Sequence, residues 1–337
     1  MSATPGIPGE LMRGGYFIAL LRRCWHMFIT VAKVMVPVMA VVEIADYFGL
    51  VALVGHAISP AMALLNLPPE AGIVWATTIL TGIYGGIAAL AALAPSLEIS
   101  SAQLSALCAM MLFSHSIPVE QAIVRRAGAS FGMTALLRLG AAAFYGALVS
   151  WICGLTNSLA RPVSLDWLTG SAMAADTGPT GVLEWLLSTL YSLALVYAII
   201  VLLAAFLDLL EHLGITRRIT AAMMPLLRLS GLNAQVAPVT TVGVLLGLTY
   251  GGALIIEESK RQNFSARTRF LALSWLSLSH SLIEDTLLVM ALGANVWVVL
   301  VGRVALTLLV VAVLARLTDR GSWSTANPGP QADNRLA

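Results

Sequence analysis

LFSHSIPVE (Leu112–Glu120) and LSHSLIED (Leu278–Asp285) place the same polar cluster twice in an otherwise apolar chain. Each holds a Ser–His–Ser triplet followed by an acid. The two histidines are separated by 280 − 115 = 165 residues. That offset is shared by other polar and special-backbone residues, which hydrophobic bias alone does not align. Glu43 meets Asp208, Asp46 meets Glu211, Gly49 meets Gly214, and Pro60 meets Pro225. Farther along, Glu120 meets Asp285, Gly128 meets Gly293, and Arg138 meets Arg303. TGIYGG (Thr81–Gly86) answers LTYGG (Leu248–Gly252) after a one-residue slip. The chain therefore reads as two copies of one unit.

Composition says where those copies reside. Of 337 residues, 58% are hydrophobic and 11% charged, and the mean hydropathy is +0.87. Soluble domains have about a quarter of their residues charged, so this chain is read as a polytopic membrane protein in the lipid bilayer. A net charge of +2, without basic tracts, excludes nucleic acid as a partner. Cys24, Cys108 and Cys153 are scattered and suggest neither disulfides nor a zinc site.

The N-terminal stretch has no secretion-signal pattern, and Tyr16–Lys33 reads as an interfacial amphipathic helix. Each copy then offers an apolar span (about 34–54 and 186–209) and a short amphipathic piece. A glycine-interrupted segment (about 71–95 and 236–257), the SHS helix (about 102–120 and 268–285) and a last span (about 132–154 and 296–315) follow. Spans of ~20 apolar residues are long enough to cross the hydrocarbon core.

Positive charge orients them. Arg13, Arg22, Arg23 and Lys33 place the start of the first span inside. The loops flanking the first glycine-interrupted segment lack Lys and Arg, so it enters and returns on one side. Arg217, Arg218 and Arg228 before the second such segment, and Lys260, Arg261, Arg267 and Arg269 after it, reverse the sign. The expected architecture is an all-α polytopic membrane protein. It has two inverted repeats, each of three transmembrane helices plus a re-entrant helical hairpin. Residues 1–30 form an N-terminal cytoplasmic or interfacial segment, 31–155 the first repeat, 156–185 an external linker, 186–318 the second repeat, and 319–337 a disordered cytoplasmic tail. Both termini are expected to be cytoplasmic, in a bacterial inner membrane.

Inverted repeats build sites near the midplane from interrupted helices. The YGG turns, Tyr84–Gly85–Gly86 and Tyr250–Gly251–Gly252, supply that interruption; the competing reading is that their glycines serve close helix packing. His115 and His280, flanked by Ser114, Ser116, Ser279 and Ser281, are costly inside a span and face the bundle interior or water. They hold solute or protons, or else bond a carbonyl and fix helix register. On an uninterrupted helix His280 and Glu284 share a face with Asp285 at its edge, while Pro118 kinks the first copy so that Glu120 swings towards His115. Arg138 and Arg303 are expected to form structural ion pairs with Glu120 and Asp285.

These residues resemble the nucleoside-recognition or Gate family, shared by concentrative nucleoside transporters, the membrane part of bacterial ferrous-iron transport protein B, and sporulation-linked membrane proteins. The resemblance implies interrupted helices meeting at a central polar site. Cys108 has no counterpart in the second copy, where Leu273 stands, and no GxxxxGK[ST] loop is present. The expected function is a permease for a small polar solute, nucleoside-like or ionic, coupled to a proton or sodium ion, possible as a homo-oligomer. The alternative is a non-transporting sensor or scaffold. An intramembrane serine hydrolase is disfavoured, because adjacent Ser and His side chains point apart on a helix and no oxyanion motif is visible. His115, Glu120, His280, Glu284 and Asp285 are acceptable ligands for a divalent ion, so a metal site stays open although no spacing matches a dedicated metal motif; no cofactor is called for.

Overall fold

The computed structural model describes residues 14–169, 182–232, 236–262 and 264–320. The expected tail beyond Arg320, residues 1–13 and linker residues 170–181 lie outside the described residues. In chain order the helices are α1 (Gly14–Tyr47), α2 (Leu50–Leu64), α3 (Pro69–Thr81), α4 (Ile83–Leu93), α5 (Ser101–Ser114), α6 (Ile117–Arg126) and α7 (Phe131–Thr156). There follow α8 (Asp166–Thr169), α9 (Val182–His212), α10 (Ile215–Leu229), α11 (Ala237–Leu246), α12 (Leu248–Gln262), α13 (Ala266–Ser279), α14 (Glu284–Ala291) and α15 (Arg303–Arg320). A π-helical stretch, Trp297–Gly302, leads into α15. The strands described are a two-residue ribbon, β1 (Ile99–Ser100) with β2 (Pro162–Val163).

The protein is an all-α polytopic membrane protein. Among the described residues, five segments are long and apolar enough to cross a bilayer: Gly15–Tyr47, Ser101–Arg126, Phe131–Thr156, Trp185–His212 and Trp297–Thr318. A sixth is counted if α2 and α3, bent by 94° at their junction, act as one broken span. Large apolar side chains stay exposed along these helices, among them Ile18, Leu136, Leu155 and Leu202, as expected where lipid rather than water covers the surface.

The first span corrects the sequence reading. Instead of an interfacial helix followed by a span, α1 runs unbroken for 34 residues, and the expected boundary at residue 30 falls inside it. Leu20, Cys24, Phe28, Val31, Met35 and Met39 recur at helical spacing and form one buried stripe against Val196, Ile200 and Ala204 of α9. A continuous stripe of that period favours one helix. Arg23 and Tyr16 bind Asp208 near the end of α9 at 2.9 Å, whereas Phe28 and Trp25 pack on Tyr197, farther back along it. The two helices therefore run in opposite directions.

Two compact units make up the chain. The first comprises Met1–Ile117, Ala142–Arg217 and Ile283–Val299; the second comprises Pro118–Ala141, Arg218–Leu282 and Leu300–Ala337. In each copy the chain changes unit just past the SHS triplet, at Ile117/Pro118 and Leu282/Ile283, positions again 165 apart.

Candidate functional site

Both glycine-interrupted segments are helical hairpins. In the first unit Thr78, four residues before Gly82, lies across from Gly86, four residues after it, so α3 folds back on α4. In the second unit Gly243 and Gly251, four residues either side of Gly247, approach so closely that a Cβ on Gly243 would stand 2.6 Å from the Gly251 Cα. The turns sit at Gly82 (φ 104°, ψ −180°) and Gly247 (φ 100°, ψ 166°), a backbone region essentially reserved for glycine.

The break was expected at the YGG triplets. It lies two residues ahead of Tyr84 and three ahead of Tyr250, and Gly82 and Gly247 match at 165 without any slip. Gly85, Gly86, Gly251 and Gly252 instead stand where a side chain has no room. A Cβ on Gly86 would meet Thr78 and Met111, and one on Gly252 would reach Ile123 at 2.8 Å. Close packing is their part. Tyr84 packs against the α1–α9 stripe, and the Tyr250 side chain lies outside the described residues.

The SHS helices carry matched starts and matched ends. Ser100 caps α5 in a reciprocal box with Gln103, and Ser265, 165 residues on, caps α13 through the Thr268 N–H. Both helices stop at the first serine. His115 (φ −66°, ψ 154°) and His280 (φ −76°, ψ 166°) are extended, and Ser116 (φ 50°) and Ser281 (φ 47°) turn left-handed. The i, i+4 pairing of His280 with Glu284 fails for that reason: the helix ends between them. Pro118 is not the cause in the first copy, since the second breaks identically without it; Pro118 opens α6, where a proline N–H is not needed.

Each hairpin tip meets the SHS break of its own unit. The Thr78 carbonyl accepts from the Ser116 N–H at 3.1 Å, and the Val244 carbonyl from the Leu282 N–H at 3.0 Å. A Cβ on Gly82 would lie 2.5 Å from Ser116 Oγ, and one on Gly247 3.1 Å from Ser281 Oγ. Backbone groups freed by breaking two helices are thereby re-bonded inside protein, as a membrane interior demands.

The first serine of each triplet is engaged in helix packing. Ser114 donates to the Met110 carbonyl and accepts from Trp75 Nε1 at 2.8 Å. Ser279 bonds Thr307 of α15 at 2.8 Å.

The imidazoles find their acids in the opposite copy. In the first unit His115 Nε2 lies 3.7 Å from Asp285. In the second, His280 Nε2 lies 3.2 Å from Glu120. Both histidines are buried, as is Asp285. Within each unit, the acid that faces the imidazole comes from the other copy of the repeat. Glu284, next to Asp285, is half-buried on α14.

Arg138, fully buried on α7, binds Glu120 at 2.5 Å, as the sequence suggested. Arg303, also fully buried, donates to the Leu278 carbonyl and to that of His280, each at 3.1 Å. It ties down the carbonyls left open where α13 ends. Gly82, Gly247 and Thr307 were missed by the sequence reading; the glycines were detectable by applying the 165 offset strictly.

Residues 28–130 match the family model described as Gate, nucleoside recognition. That match covers α1 from Phe28, the first hairpin, α5 and α6, and so includes His115 and Glu120. No solved structure matches the chain. Over 324 residues, 94% of this chain and 98% of the relative, the sequence is 26% identical to an uncharacterized membrane protein, YvoD, of Bacillus subtilis (strain 168). The segment that builds the first hairpin and the first SHS break is thus similar to the nucleoside-recognition Gate model, and it lies in a membrane protein.

Proposed function

We propose that the protein is a permease that moves a small polar solute, nucleoside-like or ionic, by alternating access at the two SHS breaks. The Gate match supports a general role in transport. The observation that carries the finer reading is the exchanged pairing: a buried imidazole at each helix break faces an acid from the other copy, beside a glycine-only hairpin tip. Interrupted helices with polar side chains at the break are the usual way to build a solute site inside a bilayer.

In this reading the chain has two inverted repeats, each of three spans and a re-entrant hairpin, with both termini cytoplasmic in a bacterial inner membrane. The opposite directions of α1 and α9, whose residues correspond at the 165 offset, support that inversion. The ion moved with the solute is a proton or sodium, and the site residues are those at the breaks, with Ser116, Ser281 and the tips of the hairpins lining the path. Purified protein in liposomes, offered nucleosides, nucleobases and divalent metal ions under an inward proton or sodium gradient, tests the proposal. Uptake of one class, lost in His115→Ala and His280→Ala, is expected. Absence of flux for every class under both gradients overturns it.

A further inference from the structure

We propose that each imidazole–carboxylate pair is a binding site for one proton, so that the protein holds two proton sites and couples transport to H⁺ rather than Na⁺. The coupling half rests on the transport reading above; the proton sites do not.

The argument begins with the other ring nitrogen. His115 Nδ1 lies 3.2 Å from the Met111 carbonyl and His280 Nδ1 2.8 Å from the Leu276 carbonyl, in each case four residues back along its own helix. A carbonyl only accepts, so Nδ1 carries hydrogen in both rings. The same carbonyls also accept the backbone N–H of His115 and of His280 at 3.0 Å, which fixes each ring against the end of its helix. Tautomer and orientation are then set, and Nε2 is the atom turned to the carboxylate.

With Nδ1–H committed, Nε2 and the carboxylate oxygen are two electron-rich atoms held 3.2 Å apart in the second unit and 3.7 Å apart in the first. Buried, that contact is repulsive unless a proton lies on one of them. Binding places H⁺ on Nε2 against a carboxylate anion. Release returns it to water and leaves a neutral imidazole beside the anion, and no other bond changes.

The charges around the His280–Glu120 pair favour a proton over a metal cation. Glu120 already holds the Arg138 guanidinium, and Arg303 donates to the carbonyl of His280 itself. A sodium or divalent ion there would sit beside two guanidinium groups, whose charge opposes it, whereas a single proton shared by the two atoms leaves the carboxylate its negative charge. In the first unit His115 faces Asp285, with Glu284 adjacent and Tyr84 within electrostatic range of both acids. Each proton site takes its imidazole from one copy and its acid from the other. A change of protonation therefore acts on both copies at once, which is what a coupled carrier requires.

The test uses the full chain in lipid nanodiscs with ¹⁵N-labelled histidine, His115 and His280 being assigned through H115N and H280N, and the titrant is the proton itself. Between about pH 5 and about pH 9, both rings should keep Nδ1–H while Nε2 gains and loses one proton. Glu120→Gln should shift the His280 titration more than that of His115, and Asp285→Asn should do the reverse. Wild-type rings that do not titrate over that range overturn the proposal, as does Glu120→Gln acting more strongly on His115 than on His280. Displacement of the protons by micromolar Mn²⁺ or Zn²⁺ also overturns it in favour of a metal site. In liposomes containing a pH dye, solute uptake that acidifies the lumen is expected. Sodium-dependent uptake with no pH change overturns the coupling but not the proton sites, and titrating histidines without any flux count against the transport reading alone.

Discussion

His280 Nε2 lies 3.2 Å from Oε1 of Glu120, a residue 160 positions earlier in the chain, and the other oxygen of that carboxylate holds the fully buried Arg138. One acid thus serves a guanidinium and an imidazole together. Removing one partner of a buried charge pair leaves the other uncompensated and costs about 3–5 kcal/mol, whereas replacing both is far milder. Arg138→Met should therefore lower stability by about that amount in thermal melts of the detergent-solubilised protein. Arg138→Met combined with Glu120→Gln should recover at least half of the loss. Equal destabilisation in the single and double variants would show that the arginine acts through packing alone.

Gly82 and Gly247 occupy a backbone region that other residues enter at a cost of about 1–3 kcal/mol. Gly82→Ala adds a contact of its new Cβ with Ser116 Oγ at 2.5 Å, against 3.1 Å between Gly247→Ala and Ser281. Both should destabilise, Gly82→Ala more, and Ser116→Ala should relieve the difference between them. Gly140→Ala, which has nothing within 4 Å of its added Cβ, should be neutral or slightly stabilising because it lies within helix α7. If all three melt alike, the hairpin turns do not depend on glycine.

Ser279→Ala separates packing from site chemistry. The hydroxyl bonds Thr307 Oγ1, and that threonine also donates to the Arg303 carbonyl. Its loss should cost about 1 kcal/mol and leave the solute concentration giving half-maximal uptake unchanged. A rise of several-fold in that concentration would put the first serine of the triplet among the ligands of the solute.

Orientation in the membrane is open to direct labelling. In a chain with Cys24, Cys108 and Cys153 replaced, single cysteines at the exposed positions Glu98 and Asn157 should react with a membrane-impermeant maleimide from outside. Those at Leu213 and Gln262 should react only after permeabilisation. Labelling of Glu98 and Gln262 from one side would remove the inverted arrangement of the hairpins.

Much of the fold was legible because hydropathy and polar matches at a fixed offset are properties of the chain itself. The long apolar segments marked the spans, and arginines at their ends set the expected direction. The two SHS clusters stood out because serine, histidine and acid are costly in lipid. The Arg138–Glu120 pair was predictable too, as α6 and α7 adjoin in sequence and a buried guanidinium requires a carboxylate. The α1 helix was misread as two pieces because Lys33 was weighed as a boundary, while the buried stripe from Leu20 to Met39 runs straight past it.

By itself, the sequence determined the class of protein, the duplicated pattern, and which polar side chains stand out among apolar spans, since each follows from composition or from spacing along the chain. Tertiary structure alone decided which acid stands against each imidazole. Helical periodicity predicts neighbours only while the helix continues, and both helices end at their histidines. Beyond that point the partners are fixed by packing between segments 160 and 170 residues apart, and local spacing holds no record of it.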